Sequence, residues 1–138
     1  MSRSQSDPIK RRPLYILLLQ YCKYKGGHLA EILDENDQLE INLFLIEKDP
    51  TSQNGFWIGL SDLVDEGHWI WMASGLPVQY ENWGRGQPNN LNGKEHFGHI
   101  NLAQYGRQWN DCPNENGHPV PTECDNSFYG ICQNIITF

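Results

Sequence analysis

Positive charge is scarce in this sequence: 10 Lys and Arg stand against 17 Asp and Glu in 138 residues, a net charge of −7. A nucleic-acid partner needs a basic face, so that class is set aside. Long apolar runs are missing too. The longest, Leu14 to Leu19, falls far short of the roughly 20 residues that cross a bilayer, so no membrane span is expected. No Cys-x-x-Cys pair exists, and His68, His96, His99 and His118 fall into no ligand spacing, which argues against zinc. There is no Asn-x-Ser/Thr acceptor, no internal repeat and no low-complexity tract. No Ser/His/Asp, Cys/His or paired-carboxylate arrangement stands out for catalysis, so the chain reads as a binding module and not an enzyme.

Aromatic residues are plentiful instead. Five Trp, six Tyr and five Phe exclude a disordered chain, and the length suits one domain with a modest core. Four cysteines, Cys22, Cys112, Cys124 and Cys132, suggest disulfides and an oxidising compartment; their number allows three pairings. Lys10-Arg11-Arg12 before the apolar run imitates the start of a signal peptide, but no small-residue cleavage site follows. The run is read as the start of a buried helix, and a secreted location is inferred from the cysteines and the cation ligands below. Residues 1–13 are expected to form a flexible basic segment, and 14–138 one domain.

Along the chain, Leu14 to about Tyr24 suits a helix that Gly26-Gly27 stops, and His28 to Ile32 a short extended piece. Asp34 is a plausible N-cap for a second helix, in which Leu39, Leu43 and Ile46 recur at helical spacing up to about Lys48. Strands are expected at Phe56–Leu60, His68–Met72, His99–Leu102, Gln108–Trp109 and Phe128–Cys132. Residues 73–95 and 113–123 are rich in Gly, Pro and Asn, and read as long loops. Helices followed by short strands indicate an α+β fold.

The second half carries a set of side-chain oxygens: Gln87, Asn89, Glu95, Asn110 and Asp111. Two carboxylates and three amide carbonyls suit a hard cation such as calcium, which takes oxygen ligands in irregular geometry. Amide ligands keep spare hydrogen-bonding capacity for a polyol. That combination points to sugar recognition.

The ordered motifs resemble a C-type lectin-like domain over about residues 14–133. They are Cys22 with Gly26-Gly27-His28-Leu29-Ala30; Trp57-Ile58-Gly59-Leu60; Gly67-x-Trp69-x-Trp71; Gly75-x-Pro77-x-x-Tyr80-x-x-Trp83; Gln87-Pro88-Asn89; Trp109-Asn110-Asp111; and the Cys124 to Cys132 spacing. The resemblance implies that Gln87, Asn89, Glu95, Asn110 and Asp111 hold one calcium ion and also contact the sugar's vicinal hydroxyls. Pro88 is then a cis-proline that aims its neighbours to one side, and Trp109 is structural. The implied partners are glycans of mannose, fucose or galactose type, with a role in recognising microbial or self glycans in innate immunity. Weak binding by single domains of this type also implies avidity through a homo-oligomer. The alternative within the family is a domain that binds protein or mineral matrix and no sugar.

Several residues depart from the family pattern. Mannose-preferring members usually carry Glu-Pro-Asn and galactose-preferring ones Gln-Pro-Asp, whereas this chain has Gln-Pro-Asn. One carboxylate fewer implies weaker calcium binding. Leu91 offers no aromatic ring for galactose, so mannose- or fucose-like ligands are slightly favoured. Asn90 and His96 stand where an auxiliary calcium site of some members has acids; that site is expected to be weak or absent, and His96 structural or solvent-facing. The resemblance implies a Cys22–Cys132 bond and a second bond from position 97 to Cys124; position 97 is Phe, so Cys112–Cys124 is expected. The usual N-terminal Cys-x-x-x-Trp strand is not visible, which implies an unpaired edge on the C-terminal strand.

Overall fold

A computed structural model describes residues 15–52, 54–113 and 129–134. The basic segment, the 114–123 loop residues and Cys124 lie outside them. Helix α1, Tyr15–Tyr24, buries Tyr15, Leu18 and Cys22 along one face and ends before Gly26, whose φ of +86° favours glycine. The Tyr15 hydroxyl donates to the Ile58 carbonyl at 2.6 Å, and burial pushes its ionisation well above the usual phenol range. Cys22 is bonded to Cys132 across 110 residues of chain, closing the domain as expected. The chain-entropy account assigns a loop of that size about 4–5 kcal/mol.

Helix α2, Glu35–Lys48, begins where the sequence indicates. Asp34 accepts from the Asp37 amide at 2.8 Å, and Asp37 accepts from the Leu33 amide at 3.0 Å, so two exposed donors of the first turn are satisfied. Its buried face is not the Leu39, Leu43 and Ile46 stripe; those three are 55–57% exposed. Gln38, Ile41 and Leu45 face inward instead. The reason is a polar contact: the Trp109 indole N–H donates to Gln38 Oε1 at 2.8 Å, and a buried indole needs an acceptor.

The strands form two sheets. Strands β1 (Gly27–Leu29) and β7 (Cys132–Asn134) pair antiparallel. The larger sheet runs β3 (Ile70–Trp71), β2 (Phe56–Ser61), β4 (Phe97–Ile100), β5 (Trp109–Cys112), with β6 (Tyr129–Gly130) parallel to β2. Among the described residues β7 has no strand partner other than β1. The arrangement is α+β, as the sequence indicates.

Trp109 is the hub of the core beneath the loop. Trp71, Trp83 and Tyr80 meet it edge-on, with centroids 5.5, 5.6 and 6.0 Å away. Cutting such a residue to alanine costs about 3–5 kcal/mol. Strand β5 is therefore pinned at its first residue and held along its length by β4, with His99 opposite Asn110, Gly98 opposite Asp111 and Phe97 opposite Cys112. Only glycine fits at 98, because a Cβ there would lie 2.7 Å from the Leu60 side chain.

Candidate cation and ligand site

Asn110 and Asp111 follow Trp109 on β5, and both are buried. The loop before β4 is tied to them by its backbone. Trp109 donates its amide to Asn82 O at 2.7 Å, and Gly84 N donates to Trp109 O at 2.8 Å. Gln87–Pro88 is a cis peptide, in agreement with the resemblance. Beyond it, Asp111 clamps the loop: Oδ1 accepts from Asn89 N at 3.1 Å and Oδ2 from Asn90 N at 2.7 Å. Asn90 then takes a left-handed φ of +44°, which asparagine tolerates, and turns the chain into a short 3-10 segment, Leu91–Gly93. Glu95 closes the turn reciprocally: its Oε1 accepts from Leu91 N at 3.0 Å and its amide donates to Asn90 Oδ1 at 3.1 Å.

These links tie Asn89 and Asn90 to Asp111 and the following turn to Glu95, and Gln87 and Asn110 line one cleft. Glu95, Asn110 and Asp111 are buried, Gln87 is half-buried and Asn89 is exposed at the rim. Gln87 Oε1, Glu95 Oε2 and Asn110 Oδ1 are buried oxygens with no hydrogen-bond donor on them, although other atoms of Glu95 and Asn110 are engaged. Buried acceptors without donors cost free energy, and a cation coordinated by them removes that cost. Burial raises the Asp111 carboxyl above the usual carboxylate range, the amides of Asn90 and Asn89 oppose this, and the charge of Asp62 adds to it. Carboxylate and amide oxygens are the donors that a hard divalent cation takes.

His99 was not singled out by its sequence, since one histidine in an apolar strand gives no signal. It is fully buried, and its Nε2 lies 3.3 Å from Asn110 Nδ2. An amide NH2 can only donate, so Nε2 is the acceptor and the Asn110 carbonyl is left to face the site.

A second oxygen-rich corner lies on the other side of Glu95. His96 Nδ1 is 3.0 Å from Asp62 Oδ1 and 3.2 Å from Glu66 Oε1, and the three ligand atoms lie within 4.8 Å of one another. Asp62 is buried and also accepts from Gly67 N at 2.9 Å. Partial desolvation, then the hydrogen bond and charge of Asp62, push the Glu66 carboxyl up, while His96 pulls it down. The sequence shows Asp62 and Glu66 only as part of a turn. Their meeting with His96 gives the imidazole a structural role.

A cleft of about 750 Å³ adjoins Gln87 and Asn110 and runs toward the β4–β5 turn. On the disulfide side, Cys112 is disulfide-bonded. It stands across the ladder from Phe97, so the sulfur at 112 lies beside the position that the resemblance gives to a cysteine at 97. Its expected partner, Cys124, is outside the described residues. Among those residues no helix is long and apolar enough to cross a membrane.

The family model for the lectin C-type domain matches residues 18–134. The chain is 38% identical over 99 residues to salivary C-type lectin 2 of Aedes albopictus, covering 67% of this chain and 65% of that protein. It is 39% identical over 90 residues to a perlucin-like protein of Mytilus galloprovincialis, covering 65% of this chain and 56% of that protein. The match thus spans less than two thirds of either relative. Among solved structures, the mouse scavenger receptor C-type lectin carbohydrate-recognition domain superimposes with a TM-score of 0.64 at 29% identity, covering 90% of this chain and 83% of that one. Family model, relatives and fold agree with one another, and the chain belongs to the C-type lectin domain family.

Proposed function

We propose that this protein is a calcium-dependent lectin that binds terminal monosaccharides through vicinal hydroxyls, outside the cell. The carrying observation is the Asp111 clamp on the Asn89 and Asn90 amides, together with the buried Gln87 Oε1, which lacks a donor. Gln87, Asn89, Glu95, Asn110 and Asp111 would hold the ion. When bound, calcium supplies open coordination positions for two neighbouring hydroxyls. The chain's own residues do the rest: amide nitrogens donate to the sugar, carboxylate oxygens accept from it, and the β4–β5 ladder holds both groups still. Two carboxylates in the set make for a weak site, and the exposed, aliphatic Leu91 favours mannose- or fucose-like ligands over galactose.

Titrating calcium calorimetrically into chelator-stripped protein, with and without mannose, fucose and galactose, tests this reading. Calcium binding that one sugar tightens is the expected outcome; a folded sample that takes up no calcium sinks it. One observation favours a second reading, a domain that contacts protein or mineral matrix. Both Asp111 oxygens already accept loop amides, so the loop is held closed by protein groups alone. Elution from a matrix by free sugar separates the two readings.

A further inference from the structure

The cleft beside Gln87 and Asn110 is larger than a single ring needs. At about 750 Å³ it lies within the roughly 300–1,000 Å³ range of sites that enclose a drug-sized ligand. Away from the proposed cation position its wall changes character. Asn101, Gln108, Tyr105 and Arg85 line it. Carboxamides both donate and accept, which matches hydroxyl groups. Tyr105 is half exposed, on a turn fixed by Tyr105 N to Leu102 O at 2.9 Å, Gly106 N to Ala103 O at 2.9 Å and Arg107 N to Leu102 O at 3.1 Å. An aromatic side chain on a fixed turn can offer a flat apolar face to a sugar ring.

Arg85 is the one charged side chain on this wall, in a protein of net charge −7, and it is exposed and paired with no described carboxylate. Guanidinium groups pair bidentately with carboxylate and sulfate. The protein's overall negative charge is screened beyond about 8 Å at physiological salt, so the local cation decides.

We infer that the cleft is a second sugar subsite that takes an anionic residue, a sulfate- or carboxylate-bearing sugar, with Arg85 as its counter-ion and Tyr105 as its stacking face. The inference rests on the proposed function in that the first sugar residue sits at Gln87 and Asn110.

The experiment compares four ligands on the full chain with calcium: a methyl monosaccharide, a neutral disaccharide, the same disaccharide 6-sulfated, and its uronic acid counterpart. The neutral disaccharide is expected to bind a few-fold tighter than the monosaccharide, and an acidic one about threefold to tenfold tighter again. Arg85→Gln should erase the acidic preference, and Tyr105→Ala the gain from the second ring; both should keep the monosaccharide affinity and calcium uptake. A preference for only one of the two acids identifies which anion the subsite takes. Equal binding of neutral and acidic disaccharides, or an acidic preference that survives Arg85→Gln, overturns the subsite and leaves the lectin reading standing. Acidic disaccharide bound in chelator and lost in Arg85→Gln keeps the subsite but removes the calcium reading. A folded protein that binds no saccharide under either condition overturns both.

Discussion

Glu95 and His96 are neighbours in the chain, yet they serve two corners of opposite electrostatic character. The corner of Asp62 and Glu66 has a basic partner built in: His96 Nδ1 stands within 3.2 Å of both carboxylates. At the corner of Glu95 and Asp111 backbone amides meet the carboxylates. There Asn89 N and Asn90 N donate to the buried Asp111 carboxylate, and burial outweighs the backbone amides in raising its ionisation. Acids with a basic side chain in reach are paired internally; under the proposed function, acids met by amides can take an external cation instead. The distinction lies in tertiary placement, since both corners look acidic and loop-borne in the sequence.

The most forceful way to break the comparison is to remove the carboxylate at the open corner. Asp111→Ala is expected to abolish calcium-dependent sugar binding while near- and far-ultraviolet circular dichroism show a folded protein. A variant that still binds sugar only with calcium places the ion elsewhere. Next in size is the positioning residue. His99→Phe keeps the buried volume but removes the acceptor for Asn110, and should weaken calcium about tenfold, as changes to groups that orient metal ligands do. Rescue by His99→Gln, whose side chain can also accept, separates orientation from simple packing.

A smaller effect comes from opening the closed corner. His96→Asp replaces the internal imidazole with a third carboxylate, and calorimetry should then show a second, weak calcium equivalent. Stoichiometry that stays at one shows that the imidazole was not what closed the corner. The smallest effect concerns pH. Asp111 is raised in the folded state, so the folded protein holds a proton that the unfolded chain has already released. In chelator, its contribution to stability is full below the unfolded value of about 3.9 and is lost as pH rises through the raised folded value. The melting temperature of chelated wild type relative to Asp111→Asn should therefore fall as pH increases from 4 to 7. With calcium the wild-type trend reverses, because protonated carboxylates are poor ligands.

Much of this molecule is legible in its sequence. Asp34 caps α2 where a short polar side chain precedes a helical period, and the Trp-rich segments become the buried strands β2, β3 and β5. Such features are local: capping, periodicity and turn chemistry act within a few residues. The five oxygen-bearing residues were also visible, because their chemical type and their loop setting do not depend on distant contacts. The inward face of α2 was not. Leu39, Leu43 and Ile46 carry the stronger apolar signal, yet Gln38 points inward because the indole it serves belongs to Trp109, 71 residues further on.

The sequence by itself determined the α+β class, the order of its elements, the cap of α2 and the oxygen chemistry of the proposed site. Tertiary structure alone decided that His99 turns Asn110 toward the site, that Cys112 stands across from Phe97, that His96 joins Asp62 and Glu66, and that Arg85 and Tyr105 share a cleft with Gln87. The physical reason is the same in each case. Burial, hydrogen-bond partnership and counter-charge depend on which side chains meet, and these pairs meet only when strands, loops and turns distant in the chain are packed together.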